Sequence, residues 1–167
     1  VRSYQLSYPA CEFPNVHLSE VMSINLVIGA FGQDGKFLVE SLKHTGQKVI
    51  VLENLEYPKA ESVGSSSHDG IEKINFSSKD ELITVLDKVR PDYIYNLVAF
   101  NSVKASYFNP SKCIWINFNW FSILLEAISN SSVKESVRVF QCSSSEMYAG
   151  NQNALIDENS RFSPLSQ

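Results

Sequence analysis

The sequence has 167 residues, of which 44% are hydrophobic and 19% are charged, and its net charge at pH 7 is −4. This length suits one domain with its own core, since domains take about 100–200 residues. The acidic balance argues against a nucleic-acid partner, which needs a basic face. No apolar run approaches the roughly 20 residues of a membrane span. We therefore expect a globular protein that binds neither nucleic acid nor a membrane.

The three cysteines, Cys11, Cys113 and Cys142, are an odd number and have no CxxC spacing. This pattern fits reduced thiols in the cytoplasm better than a disulfide framework or a zinc site. We therefore predict a cytoplasmic protein with no metal site. Cys142 is predicted to be a small buried residue within a strand.

The first 21 residues include two prolines and show neither a clear period nor the charged-then-apolar layout of a signal peptide. Met22 stands directly ahead of the first strand-like run and resembles a natural start. We therefore predict an irregular N-terminal extension over residues 1–21 and one folded domain over residues 22–167.

Three glycines at a fixed spacing, Gly29, Gly32 and Gly35, follow the first predicted strand, Ile24–Ile28. An amphipathic run over 36–44 then predicts a helix. A strand, glycines at this spacing and a helix form the turn that holds the phosphates of a dinucleotide. The first glycine permits a tight turn, the second admits a pyrophosphate, and the third lets the helix pack on its strand. An ordinary strand–turn–helix unit is the alternative.

Glu53 follows the second predicted strand, 48–52, and Gly46 is predicted to end the helix before it. The distance from the glycines is close to the offset of about 20 residues at which an acid binds the adenosine ribose. A carboxylate there accepts hydrogen bonds from the ribose hydroxyls and repels a 2′-phosphate, so it favours NAD over NADP. The alternative is a solvated glutamate at a strand end.

The remainder of the chain alternates between predicted strands and helices. We predict a surface loop at 54–70, a strand at 71–76 and a helix that begins with a capping box at 78–81 and ends at Pro91. A strand at 93–98, a long helix at 110–129 and a strand at 136–141 are predicted to follow. The long helix carries apolar residues that we expect in the core, namely Trp115, Phe118, Phe121, Leu124, Leu125 and Ile128. This alternation predicts an α/β fold with a doubly wound parallel sheet in three layers, a Rossmann fold.

Four segments in this order resemble the extended short-chain dehydrogenase/reductases that act on nucleotide sugars, and most of all the GDP-mannose 4,6-dehydratases. They are residues 29–35 (GAFGQDG), 95–99 (YNLVA), 124–128 (LLEAI) and 141–148 (QCSSSEMY). The resemblance covers residues 24–167. It implies the N-terminal part of an NAD(P)-dependent lyase that converts a nucleotide hexose to its 4-keto-6-deoxy product, and a homo-oligomeric full-length enzyme. NADP is the usual cofactor in the resembled family.

The resemblance also implies roles for individual residues. It implies that the residues that bind the cofactor, besides Glu53, are Gly29, Gly32, Gln33, Asp34, Gly35, Asn75, Phe76, Leu97, Val98 and Ala99. It places Ser102 in the substrate site, where the family commonly has histidine, and it gives Asn117 a structural role. Glu146 would remove the C5 proton, Ser144 would hold the C4 oxygen and Ser145 would assist loss of the C6 hydroxyl.

The Tyr-x-x-x-Lys pair on which the family's chemistry depends is not found, because no tyrosine in the sequence has a lysine four residues later. Residues 162–167 (FSPLSQ) resemble the segment directly before that tyrosine. We therefore expect an incomplete cofactor-binding domain that is inactive alone and lacks the substrate domain. A nucleotide-sugar epimerase or reductase, and a non-catalytic NAD(P)-binding module, remain alternatives. A requirement for Glu146 in proton exchange at C5 of the sugar would favour a dehydratase over an epimerase or reductase.

Overall fold

The computed structural model describes residues 22–54, 71–151, 155–157 and 159–166. The predicted N-terminal extension, Cys11 and residues 55–70 of the predicted loop lie outside this part. The strands are β1 (Ile24–Ile28), β2 (Lys48–Asn54), β3 (Glu72–Phe76), β4 (Tyr93–Asn96) and β5 (Arg138–Gln141). The helices are α1 (Gln33–His44), α2 (Lys79–Val89), α3 (Val103–Phe108), α4 (Pro110–Ile114) and α5 (Trp120–Ser129). A π-helical turn, Trp115–Asn119, joins α4 to α5, and a 3₁₀ turn covers Ser145–Tyr148.

The five strands form one sheet in the order β3-β2-β1-β4-β5, and every neighbouring pair is parallel. The predicted doubly wound parallel sheet is therefore confirmed. Ile28, the last residue of β1, pairs with Leu52 of β2 and with Asn96 of β4. The strand order reverses at β1, so the carboxyl ends of β1 and β4 meet at the topological switch point where ligands bind in such sheets.

The sheet is covered on both faces, because successive residues of a buried parallel strand point to opposite sides. Leu26 and Ile28 of β1 pack with residues of α2 and α5, whereas Val27 packs on the opposite face with Val39 of α1. The core on the first face contains the large buried residues Ile50, Leu52, Phe76, Leu82, Leu86, Ile94, Trp120 and Leu124. This is the three-layer arrangement that the sequence predicts.

The end of α1 explains why a glycine stands at position 46. The Gly46 N–H donates to the Lys43 carbonyl oxygen and the Gln47 N–H donates to the Leu42 carbonyl oxygen, each over 3.0 Å. This pair of bonds is a Schellman motif, which needs a left-handed residue just past the helix. Gly46 has φ +72°, so the predicted helix end is confirmed.

The start of α2 differs in one bond from the predicted capping box. The Ser78 hydroxyl accepts from the Glu81 N–H over 3.2 Å, as predicted. The Glu81 carboxylate, however, accepts from the Ser77 N–H and the Ser77 hydroxyl, each over 2.8 Å. These two bonds hold the pKa of Glu81 below its usual range.

The long helix corrects the predicted core. Trp115, Phe118 and Leu125 are 43%, 68% and 42% exposed, so their assignment to the core was wrong. Apolar residues run along two stripes of this helix, and the sheet covers the stripe that contains Trp120 and Leu124. The predicted list drew on both stripes, although an ideal 3.6-residue period already places the buried residues Cys113, Ile116, Trp120 and Leu124 on one side of the helix.

Candidate functional site

The glycine turn between β1 and α1 is built from close backbone contacts. Gly29 has φ +84°, and a Cβ there would lie 3.0 Å from the carbonyl carbon of Leu97 and 3.1 Å from the nitrogen of Val98. A Cβ on Gly35 would lie 2.3 Å from the Gly29 carbonyl oxygen and 2.6 Å from the Cα of Ala30. A side chain at Gly35 would therefore force α1 away from the turn, which is the steric role predicted for this glycine.

The N-terminus of α1 opens onto the same turn. Gly32 is its N-cap, is exposed and has no side chain that could cap the helix. The first hydrogen bond of the helix runs from the Lys36 N–H to the Gly32 carbonyl oxygen over 3.1 Å. The preceding N–H groups, which include those of the exposed Gln33 and Asp34, thus lie ahead of the helical ladder. This arrangement of backbone donors and missing side chains fits a pyrophosphate.

Glu53 lies at the carboxyl end of β2 and pairs in register with Asn75 of β3. Its carboxylate forms an ion pair with the ammonium group of Lys73. That ammonium group also lies 5.1 Å from the ring centroid of Phe31, a residue of the glycine turn. Lys73 was not predicted from the sequence. It shares a face with Asn75 at the two-residue period of a strand, but only the register of β2 and β3 brings it to Glu53.

Phe76, which was predicted to line the cofactor site, places its side chain in the core. It is 2% exposed, and its ring stacks on that of Trp120 with centroids 5.6 Å apart. Any contact of Phe76 with a ligand would therefore run through its backbone. The side chain of Asn75 is exposed at this end of the sheet.

The segment after β4 is held in place by the long helix. β4 ends at Asn96, two residues before the predicted end, although the Leu97 N–H still donates to the Ile28 carbonyl oxygen over 2.9 Å. Asn117, within the π-helical turn, accepts from the Phe100 N–H over 2.8 Å and donates to the Phe100 carbonyl oxygen over 3.2 Å. Asn117 therefore has a structural role, as the resemblance implied.

Ser102 begins α3, a helix that was not predicted. Its hydroxyl accepts from the Ala105 N–H over 3.2 Å and so caps the helix. Val98 is half-buried, whereas Ala99 and Ser102 are exposed on the approach to α3. These residues lie directly after β4, beside the glycine turn.

A buried amide network joins the ends of β4 and β5. Asn96, which is 1% exposed, donates from Nδ2 to Oε1 of Gln141 over 2.6 Å, and its Oδ1 accepts from the indole N–H of Trp120 over 3.1 Å. Gln141 in turn donates to the carbonyl oxygen of Cys142 over 2.9 Å. Sequence reasoning missed this network, although an asparagine and a glutamine that end two apolar strands were a signal for it.

The predicted catalytic residues lie together just past β5. The Ser144 hydroxyl accepts from the Glu146 N–H over 3.2 Å and caps the 3₁₀ turn Ser145–Tyr148. Ser144 and Ser145 are exposed, and Glu146 is half-buried. The structure thus brings the two serines and the carboxylate to the carboxyl edge of the sheet that also carries the glycine turn.

The residues that follow fold back on this turn and hold it. The Ser163 N–H donates to the Met147 carbonyl oxygen and the Gly150 N–H donates to the Ser163 carbonyl oxygen, each over 2.7 Å. The rings of Tyr148 and Phe162 lie 5.4 Å apart. The position of the turn therefore depends on residues well beyond it in the chain.

An open cleft of about 310 Å³ lies between α1 and the ends of β4 and β5, lined by Asp34, Leu38, Tyr95, Leu97, Phe140 and Cys142. Partial burial raises the pKa of the Tyr95 phenol, and the nearby Tyr93 adds to this effect. Cys142 was predicted to be buried within a strand. This was wrong, because β5 ends at Gln141 and leaves Cys142 half-buried at the cleft.

The described part of the chain shows neither a group of metal-ligating side chains nor a membrane-spanning helix. Within residues 22–54, 71–151, 155–157 and 159–166, no three His, Cys, Asp or Glu side chains are grouped as metal ligands. None of the helices in these segments has both the length and the apolar character to cross a membrane.

The parallel sheet and the glycine turn at its switch point define a Rossmann fold, the class that includes the dinucleotide-binding enzymes. Residues 26–167 match the family model described as GDP-mannose 4,6 dehydratase. The chain therefore belongs to the GDP-mannose 4,6-dehydratase family.

Curated relatives of this family match at low identity. GDP-mannose 4,6-dehydratase of Vibrio cholerae is 27% identical over 154 residues, which are 84% of this chain and 40% of the relative. GDP-mannose 4,6 dehydratase of Dictyostelium discoideum is 27% identical over 161 residues, 89% of this chain and 45% of the relative. The chain thus spans less than half the length of these relatives.

Solved structures of nucleotide-sugar epimerases share the fold. UDP-N-acetylglucosamine 4-epimerase from Methanobrevibacter ruminantium is 27% identical with a TM-score of 0.65, covering 87% of this chain and 45% of its own. UDP-glucose 4-epimerase from Thermus thermophilus, solved as a complex with NAD, is 25% identical with a TM-score of 0.69, covering 86% and 45%.

Proposed function

We propose that this chain is the N-terminal, cofactor-binding part of a nucleotide-sugar 4,6-dehydratase of the type that converts GDP-mannose to GDP-4-keto-6-deoxymannose. The observation that carries the proposal is the Ser144–Glu146 pair on the 3₁₀ turn, at the edge of the sheet that holds the glycine turn. Family membership and the curated relatives support the same reaction. On this proposal, residues 22–167 belong to one dinucleotide-binding domain.

The cofactor would be NAD(P), held along the carboxyl edge of the sheet. The N–H groups of Gln33 and Asp34 at the start of α1 would bind the pyrophosphate. Glu53 would accept from the adenosine ribose hydroxyls and so favour NAD, with Asn75 near the adenine. Residues 97–99 would pass beneath the nicotinamide half, and the NAD complex of the Thermus thermophilus epimerase supports a nicotinamide cofactor in this fold.

A nicotinamide cofactor held by these residues would supply hydride chemistry, in which a hydride leaves C4 of the sugar and returns to C6 while C5 takes up a proton. Glu146 would remove the C5 proton, which becomes acidic beside the transient C4 ketone. The Ser144 hydroxyl accepts one hydrogen bond in the structure and can still donate its proton, so it would hold the C4 oxygen. Ser145 would donate to the departing C6 hydroxyl, and Ser102 would contact the substrate.

The reaction also needs a base for the C4 hydroxyl, and the 167 residues contain no Tyr-x-x-x-Lys pair to supply it. We therefore propose that this chain is inactive alone and acts within a longer, cytoplasmic protein. The exposed apolar side chains of Ile114, Phe118 and Leu125 on the long helix support burial of that surface in a homo-oligomer.

The test joins residues 22–167 of this chain to the C-terminal three-fifths of the Vibrio cholerae relative and follows the absorbance of the reduced nicotinamide in a single turnover with GDP-mannose. Glu146→Gln should accumulate the reduced cofactor and slow elimination by about 10²–10⁴. Glu135→Gln, at an exposed position before β5, is the control and should behave as the parent.

Three results would separate the alternatives. Normal dehydration by Glu146→Gln would favour an epimerase or reductase. A folded chimera that binds NAD(P) but transfers no hydride would favour a non-catalytic module. A chain that binds neither NAD nor NADP in calorimetry would remove the cofactor assignment altogether.

A further inference from the structure

Lys73 occupies a position between the two parts of the proposed cofactor site. Its ammonium group pairs with the carboxylate of Glu53 at the end of β2 and lies 5.1 Å from the ring centroid of Phe31 in the glycine turn. Val51, with which Lys73 pairs in register, belongs to the core under α1. Lys73 and Glu53 therefore lie on the α1 face of the sheet, and both side chains remain partly exposed, at 44% and 30%.

This geometry bears on which nicotinamide cofactor the site would accept. NADP differs from NAD by a phosphate on the 2′ oxygen of the adenosine ribose, the oxygen that Glu53 is expected to contact. Glu53 alone would repel that phosphate. Its ion-pair partner is, however, a cation within reach of the same place, and a lysine ammonium offers three donors to a phosphate.

We propose, on the basis of the cofactor site described under the proposed function, that Lys73 is a specificity-determining residue that binds the 2′-phosphate of NADP beside Glu53. Lys73 thereby reduces the difference in affinity between NAD and NADP that Glu53 creates, and the site accepts both cofactors.

Lys73 can exchange its partner, the Glu53 carboxylate, for a phosphate at a small cost in free energy. An exposed lysine–glutamate pair is weak in water, so a doubly charged phosphate competes with the Glu53 carboxylate for the ammonium group. The attraction between a cation and an aromatic ring keeps Lys73 over Phe31, and hence at the site, whichever anion it binds. Asn75, which pairs in register with Glu53, adds an exposed amide but no charge.

The test isolates the 2′-phosphate with two probes that differ in that group alone, 5′-AMP and 2′,5′-ADP, and measures the affinity of the 167-residue chain for each by calorimetry. Lys73→Met should lower the affinity for 2′,5′-ADP by about tenfold or more and should change the affinity for 5′-AMP by less than about threefold. Lys73→Arg should keep most of the affinity for 2′,5′-ADP, because it keeps the charge. Lys88→Met, at an exposed position of α2, makes the same change in net charge and should alter neither affinity.

Glu53→Gln provides a second, independent variant. It releases Lys73 from its ion pair and removes the repulsion, so 2′,5′-ADP should bind about tenfold tighter. The part of this gain that comes from the released lysine should disappear when Lys73→Met is added, and the part that comes from the lost repulsion should remain. The double variant therefore tests whether the gain depends on the lysine or on the loss of the carboxylate alone.

The results separate failure of this inference from failure of the proposed function. A parent chain that binds 5′-AMP but not 2′,5′-ADP, or a Lys73→Met variant that keeps its affinity for 2′,5′-ADP, would overturn the role of Lys73 and leave the cofactor site standing. A parent chain that binds neither these probes nor NAD and NADP would overturn the site, and the role of Lys73 with it.

Discussion

The side-chain amide of Asn96 donates to the side-chain oxygen of Gln141 over 2.6 Å and so ties the last residue of β4 to the last residue of β5. The other end of the same amide accepts from the indole of Trp120 on α5. The carbonyl oxygen of Asn96 also accepts from the Cys142 N–H over 3.0 Å. The strand that leads to the 3₁₀ turn is therefore anchored by a polar group inside the core.

Replacement of Asn96 by alanine should lower the free energy of unfolding by about 2–4 kcal/mol. The reason is that Trp120 and Gln141 each lose a buried partner, and an unpaired buried group costs about 1–3 kcal/mol. Urea denaturation followed by tryptophan fluorescence measures the change. Asn119→Ala, at an exposed helix position, is the matched control and should remain near the parent value. Equal stability of the two variants would contradict the role of the network.

Substitutions of two glycines in the turn should affect the stability of the fold and the affinity for NAD(P) separately. Gly35→Ala should destabilise the chain strongly, by about 3 kcal/mol or more, because its Cβ would overlap the backbone of the turn at 2.3 Å. Gly32→Ala should keep the fold, since its Cβ would lie 3.3 Å from the Gly29 carbonyl oxygen at an exposed position. Gly32→Ala should nevertheless lose affinity for NAD(P), because the methyl group would stand where a pyrophosphate approaches.

Thermal unfolding and calorimetric titration together measure this separation. Gly46→Ala serves as a comparison, since it has open space around it and a φ of +72°. It should lose about 1 kcal/mol of stability and no cofactor affinity. A folded Gly32→Ala variant that binds NAD(P) as tightly as the parent would exclude the turn as the phosphate site.

Glu53 should set a preference for NAD over NADP. Glu53→Arg should weaken or reverse that preference, because it replaces a group that repels the 2′-phosphate with one that binds it. Calorimetry with both cofactors measures the ratio of the two affinities. Glu72→Arg, an equal charge change at an exposed position of β3, should leave the ratio unchanged. An unmutated chain that binds NADP as tightly as NAD, or more tightly, would refute the dominance of Glu53.

Asp87 should contribute to the dependence of stability on pH. Its carboxylate accepts from the Ser132 N–H over 2.7 Å, and the N–H and hydroxyl of Ser132 hold the pKa of Asp87 below its usual range, with a smaller contribution from Arg90. Because the pKa is lower in the folded chain, this stabilisation is present above about pH 4, the unfolded value, and is lost as the pH falls through the folded value.

Asp87→Asn should therefore be less stable than the parent at pH 7, and the difference should shrink as the pH is lowered below about 4. Urea denaturation on both sides of that value, at about pH 7, 4 and 3, measures it. Glu135→Gln is the control, and its difference from the parent should be small at each pH. A deficit of Asp87→Asn that stays constant across this range would mean that the hydrogen bond does not depend on ionisation.

The sheet and the glycine turn could be predicted because their signals are local. A strand, three spaced glycines and a helix lie next to each other in the chain, and alternating strands and helices leave few topologies. The partner of Glu53 could not be found in this way, since it depends on the register between β2 and β3. The helix Val103–Phe108 has only six residues, too few to show a period.

The exposed side of the long helix was mispredicted for a related reason. A helix with apolar residues on two sides has no single amphipathic stripe, so its period alone does not show which side faces the sheet. Trp115 and Phe118 are large and apolar, so propensity alone assigned them to the core. The amide network of Asn96 was missed because its partners lie 24 and 45 residues away in the chain.

The wide turn Trp115–Asn119 has a consequence for how this helix can change over evolutionary time. A π-helical turn holds one residue more than an α-helical turn, and each residue of an α-helix rotates the chain by about 100°. Deletion of one residue here would make the helix regular but would turn Asn117 away from Phe100, which it now holds at both backbone groups. The extra residue is thus an irregularity on which the position of the loop after β4 depends, and a single codon deletion would remove it.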